Sequence, residues 1–377
     1  MYLNIFFKKI LYLIFQTSQQ SEAKRTFIVD VWFELVFHDI SRIYSHFTQG
    51  GFIMNLINTL LSGAALTLTM SLAAPVLAND CPRGDLDKRY CDVNGDLIAD
   101  TPTDAGDLVD PDTLIFAYTP VEDPAVYKTA WSDFLTHLEK ETGKSVVFFP
   151  VQSNAAQIEA MRSGRLHIAG FNTGSNPLAV NCAGFNPFTI MASKDGNFGY
   201  EMEIITYPGS GIEKVEDIRG KQLAFTSPTS NSGFKAPSAI LKGDFDMLPD
   251  RDFEPVYSGK HDNSILGVAN KDYMAASIAN SVKARMISRE VIKAEDVKTI
   301  YKSQTFPTTG FGTAHNLTPE LKEQIRNAFL NFEWAGTSLE AEFEKSNEGQ
   351  FLEMTYQEFW EVIRKIDTAN GVSYSCQ

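Results

Sequence analysis

From Asp112 onward the sequence predicts an α/β fold in two layers, and three observations carry that prediction. Short apolar runs alternate with amphipathic stretches of helical period, the pattern of strands joined by crossover helices. Polar turns rich in Ser, Thr, Asn and Gly follow several of those runs, at the strand ends where open α/β sheets hold ligands. A second alternation begins after the run Tyr200–Tyr207, so the elements divide between two sheets.

Taken in order, Thr113–Tyr118 reads as a strand and is followed by Thr119-Pro120-Val121-Glu122-Asp123-Pro124. Residues 125–142 read as one amphipathic helix, with Trp131, Phe134, Leu135 and Leu138 on one face and Gly143 at its end. Ser145–Pro150 is a second strand, 154–163 a helix closed by Gly164, and Leu166–Gly170 a third strand, together a parallel sheet. The turn Phe171-Asn172-Thr173-Gly174-Ser175-Asn176-Pro177 ends that unit. Tyr118, Thr119, Thr173, Ser175 and Asn176 are therefore candidate ligand contacts. The second unit reads as helix 234–243, a strand near 253–257, helix 262–270, strand 273–278 and helix 281–287. Lys298–Lys302 and Gly310–Ala314 carry the chain back, and helices follow over 320–334, 337–345 and 355–368. Thr318 and Pro319 supply the cap and first residue of the first of these.

The stretch that organises the chain is 221–233. Leu223-Ala224-Phe225 reads as a buried strand that stops at Thr226-Ser227-Pro228-Thr229-Ser230-Asn231-Ser232-Gly233, and a helix starts at Phe234. A helix start leaves N–H groups unpaired and carries partial positive charge, so an oxyanion is stabilised there. Thr229, Ser230, Asn231 and Ser232 add side-chain donors. The plainer reading makes Ser230 or Ser232 an N-cap; the hydroxyl density exceeds what one cap needs.

Ahead of the α/β region the chain divides differently. Residues 54–78 resemble a secretory signal: an uncharged run, then Val76-Leu77-Ala78 as a small-residue cleavage site, with cleavage expected after Ala78. Residues 1–53 precede it without a domain pattern and are expected to be an extension, translation starting at Met54. Residues 79–111 form an acidic loop segment in which Asp92, Asn94 and Asp96 resemble half of a calcium loop. Thr103 stands where that loop needs its bidentate Glu, so a solvated acidic turn is the better reading and no metal is expected. The cysteines Cys81, Cys91, Cys182 and Cys376 all follow the cleavage site, and their even number suggests two disulfides in an oxidising compartment. Three pairings are open; a local Cys81–Cys91 loop with a long-range Cys182–Cys376 staple is the least costly.

A net charge of −14 argues against nucleic acid or an anionic membrane as partner. It does not argue against a small anion, because directed donors at short range outweigh a screened distant field.

Several motifs together resemble the phosphate/phosphite/phosphonate-binding proteins of ABC importers. They are residues 119–124, Leu138-Glu139-Lys140-Glu141-Thr142-Gly143, Gln157-Ile158-Glu159-Ala160-Met161-Arg162-Ser163-Gly164, Pro228-Thr229-Ser230-Asn231-Ser232-Gly233 and Ser258-Gly259-Lys260-His261-Asp262. They fall within about residues 112–315 in the family order. The resemblance implies a type II periplasmic solute-binding fold, two α/β lobes hinged around a ligand cleft. On that reading 112–204 begins the first lobe, 205–305 is the second, and 306–377 returns to the first with C-terminal helices. Ser230, Asn231 and Ser232 would hold phosphorus-bound oxygens, Asn231 standing where the family usually has Thr, and His261 would contact the ligand. Two positions often tyrosine in the family fall at Asn154 and near Asn176, which suits a smaller or more polar ligand. An acidic position that reads aminoalkyl groups falls near the neutral Asn280.

The function implied is a periplasmic receptor for phosphite, phosphate or a small alkylphosphonate, monomeric, without a cofactor, and serving an inner-membrane ABC permease. The same fold holding another anion such as a sulfonate is the alternative. An exported phosphoesterase is the third reading, but the chain has no G-x-S-x-G, H-E-x-x-H or P-loop, and His137, His167, His261 and His315 are scattered.

Overall fold

The computed structural model describes residues 81–374 and 376. The signal-like stretch, its cleavage site and the extension 1–53 lie outside the described residues. Within them, no helix is long and apolar enough to cross a membrane.

The first lobe opens with β1 (Thr113–Tyr118), α1 (Pro124–Ala130) and α2 (Ser132–Thr142). The single helix expected over 125–142 is interrupted at Trp131, whose ring is fully buried against Phe116, Phe134 and Phe311 at the corner between the two helices. Asp123 caps α1 by accepting from the Ala125 N–H at 3.0 Å, with Pro124 in the first turn. Next come β2 (Ser145–Phe148), α3 (Asn154–Arg162), β3 (Ile168–Phe171), α4 (Asn176–Ala183) and β4 (Phe185–Ala192).

The chain then crosses to the second lobe: β5 (Tyr200–Thr206), β6 (Gln222–Phe225), α5 (Ala236–Phe245), β7 (Glu254–Tyr257), α6 (His261–Ala269), β8 (Ala275–Ala279), α7 (Asn280–Ser288) and β9 (Lys298–Phe306). It returns through β10 (Gly310–Ala314), α8 (Pro319–Leu330), α9 (Ser338–Phe343), β11 (Gln350–Glu353), α10 (Tyr356–Phe359) and α11 (Glu361–Ala369).

The first sheet runs β11-β4-β10-β3-β1-β2 and the second β7-β6-β8-β5-β9. The three strands expected to be parallel are so, β1 lying between β2 and β3. The sheets as wholes are mixed, because β10 and β11 enter the first antiparallel, and β5 pairs antiparallel with both β8 and β9 in the second. Two crossings between the sheets, 193–199 and 307–309, make the hinge, and Thr173 Oγ1 of the first lobe donates to Pro307 O in the second crossing at 2.7 Å.

The first lobe's core is aromatic: Phe116, Phe134, Phe311, Phe329 and Phe351 pack around Trp131. The second lobe carries a smaller aliphatic cluster of Ile205, Ile265, Val268, Ile278 and Val282 between β8 and its helices. Two disulfides, Cys81–Cys91 and Cys182–Cys376, form the pairing that chain cost favours. In the acidic loop Asp92 is buried rather than solvated. Its carboxylate accepts from the N–H groups of Gly95, Asp96 and Leu97 at 2.8, 3.0 and 3.1 Å, while Asn94 Oδ1 shares the Asp96 N–H and Asp96 Oδ1 accepts from the Ile98 N–H. These oxygens shape the turn. No group of three or more His, Cys, Asp or Glu residues fit to hold a metal ion occurs among the described residues.

Candidate functional site: an oxyanion pole in the cleft between the lobes

β6 ends at Phe225, and the hydroxyl-rich turn leads into a π-helical turn, Asn231–Lys235, that runs straight into α5. The Lys235 N–H reaches back to Ser230 O at 3.0 Å, a five-residue span that widens this first turn. The helix therefore begins at Asn231, three residues earlier than the apolar pattern suggests. Ser230 is its N-cap, its Oγ accepting from the Gly233 N–H at 3.0 Å. Capping and ligand binding do not compete here, because the hydroxyl hydrogen stays available while the oxygen accepts. Gly233 is required by space: a Cβ there would stand 1.8 Å from Thr226 Oγ1.

His261 starts α6 beside this turn. Its Nδ1 accepts from the Ala279 N–H at 3.2 Å, so the ring hydrogen sits on Nε2, which lies 3.4 Å from Ser230 Oγ. Burial pulls its pKa down to about 4, with Glu122 opposing and Arg285 assisting. At neutral pH His261 is an uncharged donor of fixed tautomer. It does not cap α6.

Ser230, Asn231, Ser232 and His261 form one wall of a central cavity of about 50 Å³, and Tyr118 and Thr173 join from the first lobe. Asn154 and Thr229 line an adjoining cavity of about 430 Å³ that shares Ser230 and His261. There Asn154 Nδ2 donates to Thr229 Oγ1 at 2.7 Å, a bond between the lobes. Thr119, Ser175 and Asn176 are fully buried behind the wall instead of on it. Asn172, which the sequence reading passed over, explains their place. Its amide donates to Thr119 Oγ1 at 2.9 Å and to Asn154 Oδ1 at 2.8 Å, and its oxygen accepts from the Ser175 N–H at 3.0 Å. In the polar turn 171–177, Asn172 and Thr173 reach the cavity, whereas Ser175 and Asn176 turn inward where α4 starts.

Aromatic side chains reach the cavity from positions other than Asn154 and Asn176. Tyr118 and Tyr200 both face the cavity, and Tyr200 OH accepts from Asn231 Nδ2 at 3.2 Å. Burial holds the Tyr118 hydroxyl well above the ordinary phenol range, so it stays protonated. Two charged residues also reach the wall, Arg285 and Glu348. Arg285 from α7 is committed to Glu122 through Nε at 3.2 Å and Nη2 at 2.9 Å, and Arg289 pairs with the other oxygen of Glu122. Burial alone would raise Glu122, but Arg285 and Arg289 hold it below the usual carboxylate range. The cleft thus offers an anion neutral donors and a helix start, almost all from the second lobe.

The family model described as "ABC transporter, phosphonate, periplasmic substrate-binding protein" matches residues 116–358, well over half of the 377. This chain belongs to the phosphonate periplasmic substrate-binding family. Within that family its relatives include the phosphate-import protein PhnD of Mycolicibacterium smegmatis, 27% identical over 279 residues, which cover 71% of this chain and 85% of the relative. The phosphonates-binding periplasmic protein of Escherichia coli is also 27% identical, over 223 residues covering 58% of this chain and 66% of that protein. Among solved structures, a binding protein component of a Pseudomonas aeruginosa ABC phosphonate transporter superposes with a TM-score of 0.62 at 23% identity, covering 69% of this chain and 89% of that one. PhnD1 of Prochlorococcus marinus, solved with methylphosphonate, gives 0.61 at 15% identity over 70% and 99% of the two chains. At those identities the structures speak to the fold: a type II periplasmic binding architecture.

The stretch Pro228–Gly233 and His261, the two places where the sequence resemblance put the ligand contacts, meet at the central cavity. Arg285, Glu348, Tyr200, Thr308 and Thr309 join them from segments with no local signature. Only a buried-charge pattern, a lone Arg on the apolar side of α7, could have pointed to the first of these.

Proposed function

We propose that this chain is the periplasmic receptor of an ABC importer, that it holds a phosphorus oxyanion between its lobes, and that it delivers the ligand to the membrane permease without breaking a bond. The observation that supports this best is the neutral donor pole. Ser230, Ser232 and the Nε2–H of His261 converge at a helix start inside a closed cleft, where an oxyanion gains charge-assisted hydrogen bonds and no proton-transfer partner is needed. Phosphite, phosphate and small alkylphosphonates fit such a pole. Export through a signal ending at Ala78 and function as a monomer belong to the same reading.

The test is calorimetric titration of the exported protein, freed of ligand, with phosphite, phosphate, methylphosphonate and sulfate. At least one phosphorus oxyanion is expected to bind tightly. Ser230→Ala is expected to weaken it about 10- to 100-fold, the equivalent of about 1.5–3 kcal/mol for a hydrogen bond to a charged group. Loss of the N-cap costs about 1 kcal/mol of stability, so a melting curve accompanies the variant. A folded protein that gives no heat with any phosphorus oxyanion would overturn the assignment.

A further inference from the structure

The oxyanion pole leaves a carboxylate of the cavity wall unused. Glu348 stands in the turn between α9 and β11, is 9% exposed, and lines the central cavity. Ser346 Oγ donates to its Oε2 at 2.9 Å, and Arg285 Nη1 lies 4.0 Å from that same oxygen. Its Oε1 accepts no hydrogen bond from any described residue. Arg285 does little to satisfy it, because that guanidinium is already bound to Glu122 and Ser346. That oxygen is open to the cavity rather than sealed in protein, so it is free to accept a hydrogen bond from what the cavity holds.

Its position says what supplies it. Glu348, Tyr200 and Ser281 line both the central cavity and a neighbouring chamber of about 380 Å³, so Glu348 stands where the two meet. A ligand whose oxygens face Ser230 and His261 turns its remaining side toward that junction. Asn280, the expected neutral position, is occupied otherwise: its Oδ1 accepts from the Glu201 N–H at 3.0 Å.

We propose that Glu348 sets ligand choice by requiring a hydrogen-bond donor on the side of the oxyanion turned away from Ser230. The donor is either a P–OH or a group on the first atoms of a substituent. This rests on the oxyanion reading of the cleft. A ligand with no such donor leaves Oε1 unpaired and adds its own negative charge beside the carboxylate.

The experiment uses the exported protein, freed of ligand, in two calorimetric arms at pH 6. Phosphate against sulfate tests a donor on phosphorus; 2-aminoethylphosphonate against propylphosphonate tests a donor on the substituent. In at least one arm the donor-bearing ligand is expected to bind tenfold or more tightly. Glu348→Leu is expected to shrink that ratio to threefold or less, by weakening the donor-bearing ligand and relieving the other of the carboxylate's repulsion, whereas Ser230→Ala weakens both members and keeps the ratio. Should Glu348→Leu fail to fold, Glu348→Gln is read instead, and a fivefold contraction in the ammonium arm carries the same meaning. Wild-type protein with no preference in either arm, or ratios that survive the folded variant, overturn the role of Glu348 while the oxyanion reading stands. Absence of all phosphorus-oxyanion binding overturns both.

Discussion

His261 shows how a residue acquires its role from what surrounds it. The sequence places a histidine beside a family motif, but charge and tautomer come from burial and from the Ala279 N–H. A second histidine, His315, is pulled to a pKa of about 4 as well, by burial and then by Lys322 and Arg89, far from the cleft. Both folded-state values lie below the unfolded value near 6.5, so between pH 6.5 and 4 the unfolded chain binds more protons than the folded one. Stability is therefore full above pH 7 and falls as pH drops toward 4, with each histidine contributing on the order of 3 kcal/mol. Urea denaturation of wild type and His315→Gln from pH 8 to 4 checks this. The variant is expected to lose a clear share of the histidine part of the acid slope, to which His167, also lowered by burial, adds; identical slopes would mean that His315 titrates normally. Ligand affinity is expected to show no step near pH 6.5 from the protein side, since His261 is already neutral there.

At the scale of elements, the chain has a strap that its sequence hints at only through Cys376. After β11 the chain runs through α10 and α11, and Asp367 of α11 pairs with Lys235 of the π-helical turn at 2.8 Å. Lys235 Nζ also donates to Gly174 O at 2.8 Å, Tyr374 OH donates to Asp367 at 2.9 Å, and the Cys182–Cys376 disulfide ties the tail to α4. Burial pushes Lys235 down while Asp367 resists. Removing one partner of a buried pair strands the other, at a cost of about 3–5 kcal/mol, whereas replacing both with apolar groups is close to neutral. Lys235→Met is expected to lower unfolding free energy by about that amount, and Lys235→Met with Asp367→Leu to recover most of it. A single variant within about 1 kcal/mol of wild type by urea denaturation would show that the pair contributes nothing.

Elements differ in how far the sequence revealed them, for physical reasons. β1, β3, β5 and β6 are short runs with burial on both faces and turn residues at their ends, so pattern suffices. β4 escaped notice because Pro187 interrupts it, and the pairing with β10 shifts register beside that residue, which has no N–H to give. β11 has four residues and exists only because β4 offers an edge. α4 was legible in principle, since Pro177 sits in its first turn. The site divides the same way: Ser230, Asn231, Ser232 and His261 belong to local motifs, whereas Arg285 and Glu348 meet only through the folded chain.

For the whole molecule the question is what closes the cleft. Its lobes touch through Asn154–Thr229, through the His261 N–H to Val121 O at 3.1 Å, and through Arg285 and Arg289 on Glu122. The tightest approach is backbone on backbone. A Cβ on Gly174 would lie 2.4 Å from both Asn231 N and Thr229 O, against the turn proposed to hold the ligand. Gly174 has no positive φ, so alanine fits its own backbone and conflicts only with the facing lobe. Hinge closure contributes to affinity only if the closed form can be reached. Gly174→Ala is thus expected to melt within a few degrees of wild type when free of ligand. It is expected to bind the ligand tenfold or more weakly, and to show no compaction by small-angle scattering when ligand is added. Unchanged affinity with normal compaction would mean that the turns 172–175 and 229–231 move as one body, and that closure is decided instead by the Glu122–Arg285 pair.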